Sequence, residues 1–268
     1  MSGPDRETES LEIGGRRIED HIARAMDENR ATLDSDGRYR LNDPDARQDS
    51  MTSDTPTIAK SGSFAAPCRF LNHFLFALAY GEAQVPYGCR ACYKIWIRPA
   101  TLRALFSVKE MLDAMPYTSK IKVEALDPLS PNVYLALVYG GDLPATRDAF
   151  RLVRAAVDAD ARLGEDVAME IRRGCQNYER RCGPSDQYAF DPRLEAIEAR
   201  LAARFADAPP PARPRKHRDA AAKLRMVQIA HQLGDESYRD FTGGKSLSIA
   251  PRCYAPDTDA RDGTGNRC

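Results

Sequence analysis

The chain has 268 residues, 43% of them hydrophobic, with 39 basic and 39 acidic side chains. That length suits one large domain or one medium domain with extensions, and zero net charge argues against a protein that coats polyanions over its whole surface. The first thirty residues lack the apolar run of a secretory leader, and the most apolar stretch, FLNHFLFALAYG (70–81), falls short of the roughly 18 residues a membrane span needs.

The neutral total hides an asymmetry. Residues 1–60 carry nine Lys/Arg against fourteen Asp/Glu, and residues 213–252 carry nine against four. Ends of opposite sign are either two solvated extensions or a basic surface with an acidic arm. Seven cysteines without an export signal favour a reducing cytoplasm. There, clustered cysteines more often bind metal than form disulfides.

The N-terminal extension, residues 1–62, is polar and acidic and is expected to be partly disordered. Within it, residues 10–29 can form an amphipathic helix with Ile18, Ile22 and Met26 on one face. Residues 30–62 read as mostly unstructured, with a turn at Asp36-Gly37. A calcium loop over 34–43 fails, because aligning Gly37 with the loop glycine puts Thr32 at the first ligand position.

Residues 63–206 form an α+β core. CRFLNHFLFALAYG (68–81) is a buried helix that stops at Gly81. YKIWIR (93–98) alternates and is rich in β-formers, so it is a strand. Pro99 opens a helix with Leu102, Leu105, Phe106 and Leu112 on one face. KIKVEAL (120–126) sends Ile121 and Val123 one way and Lys120, Lys122 and Glu124 the other. NVYLALVYGG (132–141) is a third strand, Pro144 opens a second helix through Val153 and Val157, and EDVAMEIRR (165–173) is a fourth strand. Asp191-Pro192 starts a last helix with Leu194, Ile197, Leu201 and Phe205 inward.

The order over 93–173 is β-α-β-β-α-β, a ferredoxin-like split βαβ core. Two right-handed crossovers would set the sheet order 4-1-3-2 with helices on one face. A Pro/Arg-rich linker (207–219) reads as extended. It leads to a C-terminal helix (220–234) and a loop-like tail, 220–268 in all.

The cysteines gain meaning on that topology. Cys89 and Cys92 form a Cys-x-x-Cys just before strand one; Cys175 and Cys182 follow strand four. Strands one and four would be antiparallel neighbours, so both pairs reach the same sheet edge. Four thiolates satisfy tetrahedral Zn2+ or the irons of a 4Fe-4S cluster, with Zn2+ the first expectation. Cys68 is the best substitute ligand and Cys253 the next. A thioredoxin-like role fits poorly, since that chemistry puts the motif before a helix rather than a strand. TGGKS (242–246) is not a phosphate loop, because position 239 is Arg where the motif needs Gly.

The sheet face away from the helices is the second candidate. If Ile95 and Ile97 face the helices, then Lys94, Trp96 and Arg98 face away. Leu135 and Leu137 are expected inward on strand three, leaving Tyr134 beside Trp96 as a base-stacking pair. The alternative is that helix 191–206 covers Trp96. Arg90, Arg172, Arg173, Arg180 and Arg181 would ring the thiols, and Arg215 and Lys216 continue the basic character; all could contact phosphates.

The expected function is a metal-stabilised, nucleic-acid-associated cytoplasmic binding module. An iron–sulfur enzyme or electron carrier is the alternative. A structural or assembly protein that docks through its tails is a third possibility.

Overall fold

A computed structural model of the chain describes residues 12–42, 55–60, 68, 70–124, 133–163, 167–205 and 215–248. In chain order its strands are β1 (Glu12–Ile13), β2 (Arg16–Arg17), β3 (Ala31–Leu33), β4 (Tyr39–Leu41), β5 (Thr57–Ala59), β6 (Tyr93–Arg98), β7 (Thr118–Val123), β8 (Tyr134–Gly141) and β9 (Ala168–Arg173). Its helices are α1 (Ile18–Asp27), α2 (Phe70–Ala79, wound as a π-helix), α3 (Leu102–Ala114), α4 (Leu143–Ala159), α5 (Gln176–Cys182), α6 (Arg193–Ala203) and α7 (Arg215–Gln232). The protein is a mixed assembly of helices and antiparallel sheets. None of the described helices is long and apolar enough to cross a membrane.

The main sheet runs β5-β7-β8-β6-β9, and every neighbouring pair is antiparallel. Its last four strands stand in the order 4-1-3-2 when numbered along the chain. β5 adds an edge that the sequence reading did not contain, since residues 30–62 were expected to be unstructured. Three residues with no extended alternation give no strand signal alone. Pairing of Ile58 with Ile121 supplies the partner, and Ile58 is then 3% exposed. β3 and β4 also fall in that segment. They form a hairpin turning at Gly37, whose φ of 76° suits a residue without Cβ.

One sheet face packs on α3, α4 and α7. Ile95, Ile97, Ile121, Val123, Ala136 and Val138 meet Leu105, Val108, Val153, Val157, Met226 and Ala230 there. Burying each such aliphatic side chain contributes about 1.5–3 kcal/mol before ordering costs. The helices start where local chemistry satisfies their free amides. Thr101 Oγ1 accepts from the Ala104 amide at 3.2 Å, and Asp142 Oδ1 accepts from the Ala145 amide at 2.9 Å.

Helix α7 begins at Arg215, five positions before the helix expected from residue 220, so residues 215–219 of the expected linker are helical, and 207–214 lie outside the described residues. Its Ala222, Met226, Val227, Ile229 and Ala230 join the sheet core. Asp235, just beyond α7, locks this arrangement by accepting from the Leu102 amide (2.7 Å) and the Tyr134 hydroxyl (2.5 Å).

A second core lies at the other side. Ile18 and Ile22 of α1, Phe70, Phe74 and Leu75 of α2, Tyr178 of α5, and Leu201 pack together with Phe205. The Phe205 ring sits 4.7 Å from Phe74, 5.1 Å from Phe70 and 5.7 Å from Tyr39. Here the N-terminal segment, α2 and α6 close on one another.

Candidate thiol centre and its charged neighbours

The Cys-x-x-Cys loop is a single 3-10 turn, Tyr87–Cys89, running into β6. The Cys89 amide donates to Pro86 O at 2.9 Å and the Cys92 amide to Cys89 O at 3.1 Å. Glu198 of α6 holds this turn from outside. Its carboxylate accepts from the Tyr87 amide (2.8 Å), the Gly88 amide (2.9 Å) and the Tyr80 hydroxyl (2.7 Å). Glu198 is 4% exposed, and sequence reasoning missed it. The available signal was an acidic residue on the apolar stripe of Leu194, Ile197 and Leu201.

The start of β6 and the end of β9 meet. Tyr93 pairs with Arg173, the Gly174 amide donates to Cys92 O at 2.8 Å, and the Arg173 guanidinium donates to Arg90 O at 2.7 and 3.0 Å. Gly174, at φ 76°, turns the chain toward Cys175 with Tyr178 and Tyr188 packed against its Cα. Lys94 Nζ then donates to Gly174 O at 2.8 Å and to Cys175 Sγ at 3.2 Å. Cys89 Sγ lies 3.4 Å from the hydroxyl of the fully buried Tyr178.

Cys68, Cys89, Cys92 and Cys175 lie near enough to act on one another electrostatically, and Cys182 is not among them. Burial first, then Cys175 and Cys92, push the Cys68 thiol above its ordinary pKa. Burial raises Cys89 as well, against the Tyr178 hydroxyl, with Cys175, Cys92 and Cys68 adding to the rise. Cys92 is raised by burial against the pull of Lys94. Cys182 points elsewhere, its thiol 3.6 Å from Glu82 O. Residues 176–182 wind as α5 with Cys175 at the N-cap. Seven helical steps place Cys182 about 10 Å along the axis from Cys175. Among the described residues, no three His, Cys, Asp or Glu side chains form a group that could hold a metal ion as they stand. Cys253 lies outside the described residues.

The expected stacking pair does not exist. Trp96 pairs with Leu137, while Ile97 pairs with Ala136 and Val123 with Tyr134. Directly paired residues share a face, so Tyr134, Ala136 and Val138 face the helices, and Leu135 and Leu137 lie with Trp96. β8 is apolar on both faces, and its alternation therefore does not reveal its own parity. Helix α6 does not cover Trp96 either; it packs on the 87–89 turn and the second core.

The arginines divide. Arg98 (2.5 Å) and Arg172 (2.7 Å) contact Glu170, and Arg172 also reaches Glu179 at 3.4 Å. Arg173 stacks on Phe190 at 4.5 Å. Arg181 pairs with Glu82 at 2.7 Å. Arg90, Arg180 and Lys216 are exposed, and Arg215 opens α7. Comparison with family models, curated proteins and solved structures returns no match to this chain. Its chemistry therefore rests on these side chains alone: the thiols of Cys68, Cys89 and Cys92, which burial keeps protonated, an ammonium aimed at Cys175, and a backbone that ties both halves together.

Proposed function

We propose that the chain is a metal-stabilised cytoplasmic binding module with a ferredoxin-like core, in which Cys68, Cys89, Cys92 and Cys175 capture Zn2+. The observation that supports this reading is that the pairing of Gly174 with Cys92 sets Cys175 beside the Cys-x-x-Cys loop, with Cys68 near enough to act electrostatically on both. The antiparallel 4-1-3-2 strand order with helices on one face supports the ferredoxin-like description. Thiols raised by burial must lose protons to become ligands, so metal uptake releases protons and strengthens as pH rises. Capture also draws the four sulfurs closer than they stand in the free chain. Four thiolates leave no open coordination position, which makes the metal structural rather than a Lewis acid.

The binding partner in this reading is nucleic acid, met through its phosphates. Exposed Arg90, Arg180 and Lys216 are suited to phosphate contact, whereas the aromatics that would stack on bases are buried. Affinity for nucleic acid should fall steeply with salt.

Anaerobic purification followed by metal analysis and a visible spectrum tests the centre. The expected result is a colourless protein with stoichiometric zinc, lost in Cys68→Ser and Cys175→Ser and retained in Cys182→Ser. A brown protein would replace zinc with a 4Fe-4S cluster on the same ligands. Failure of the intact chain to take up either metal would overturn the reading.

A further inference from the structure

The sheet face opposite α3, α4 and α7 holds an unusual arrangement around the one tryptophan of the chain. Three cations surround the Trp96 ring, with Arg172 at 4.5 Å, Arg98 at 5.6 Å and Lys122 at 5.9 Å from its centroid. Trp96 is 3% exposed, whereas Arg98, Arg172 and Glu170 are only partly buried, so the indole forms a floor beneath a charged rim. The carboxylates on this face are Glu170, which contacts both arginines, and Glu124, which pairs with Lys122. Glu179 reaches Arg172 from α5. Lys94 and Lys120 lie further along the same face.

The pairing is incomplete in one specific way. Trp96 Nε1 and Arg98 Nε are buried donors without a hydrogen-bond acceptor, whereas Arg98 Nη2 meets Glu170 Oε1 at 2.5 Å. Glu170 Oε1 is shared by Arg98 and Arg172, and Glu124 Oε2 is a buried acceptor without a donor. Donors are rarely left unpaired in a folded interior, because each forfeits its hydration and receives nothing in return. Two of them beside a surplus of positive charge call for an acceptor with several oxygens.

We propose that this face binds a phosphate group carried by a small molecule. Phosphate oxygens accept from the indole N–H and from the guanidinium fork of Arg98, and Lys122 and Arg172 balance the charge. Stacked bases are the wrong occupant, since guanidinium groups and an ammonium already crowd the ring. The site uses none of the thiols, so it stands whether or not the chain holds metal.

Trp96 is its own reporter. Titrating the full chain with inorganic phosphate should give a saturable change in tryptophan fluorescence that sodium chloride at matched ionic strength does not. Arg98→Met should weaken that response by about ten-fold or more, the scale of losing one charged hydrogen-bonding partner. Arg151→Gln, on the exposed face of α4, should leave it unchanged. If Arg98→Met does not fold by circular dichroism, Arg172→Gln and phosphorus NMR line-broadening on the unaltered chain carry the same test. A response that is absent, that tracks ionic strength alone, or that survives in the folded arginine variant would overturn the proposal.

Discussion

Ile95 and Trp96 are neighbours in the chain and sit on opposite faces of one sheet. Ile95 lies among aliphatic side chains from three helices, and Trp96 lies among cations. The first environment gains free energy from water release and close contact. The second holds Lys94, Lys120, Lys122, Arg98 and Arg172 with fewer carboxylates, and so spends some of that gain. A sheet can carry such a face only if the other anchors it, and a surplus of buried charge on one side is more readily understood as serving a ligand than as serving the fold.

The contrast makes graded predictions. Leu105→Ala, in the fully buried helix-side core, should cost about 2–5 kcal/mol in denaturant unfolding. A small loss would mean that the α3 contact with the sheet is loose. Lys120→Met should act in the opposite direction. Burial first, then Lys122 and Lys94, lowers the Lys120 pKa from 10.5 to about 8. Below pH 8 this ammonium is charged in both folded and unfolded chains, and the folded chain bears the cost. Between about pH 8 and 10.5 the folded chain sheds the proton first, so its stability rises with pH there. The methionine variant should therefore be more stable than the parent at pH 7, by about 1–3 kcal/mol. That advantage should vanish as pH climbs through 10.5. Thermal unfolding of the pair across pH measures it, and a destabilised variant at pH 7 would show that the charged face is organised around its lysines. Thr101→Ala should have the smallest effect, about 1 kcal/mol, by removing the cap of α3. Thr101→Ser should restore most of it.

The same contrast marks what could be read in advance. β6, α3, α4 and α6 carry strong local signals, and each lies within a few residues of its expected span. On β7 the alternation of Ile121 and Val123 with Lys120 and Lys122 placed the two faces correctly. On β8 it failed, because YLALVY offers apolar residues to both sides and only pairing with β6 settles which face each takes. The thiols followed suit. Cys89, Cys92 and Cys175 lie at the end of the sheet where β6 begins and β9 ends, as the strand order requires. Cys182 was misplaced because the helix at 176–182, too short to announce itself, turns its thiol toward Glu82.

By itself, the chain's pattern of apolar spacing, prolines and glycines determined where the principal strands and helices lie, and that Cys89 and Cys92 precede the strand β6 while Cys175 follows the strand β9. Those are local properties, set by backbone propensity and side-chain period. Only the tertiary structure decided that Cys68 lies nearer the other thiols than Cys182 does, that Glu198 clamps their loop, and that Trp96 faces cations rather than Tyr134. Each of these depends on contacts between residues far apart in the chain, and hydrogen-bond register and burial, which no local pattern encodes, select among them.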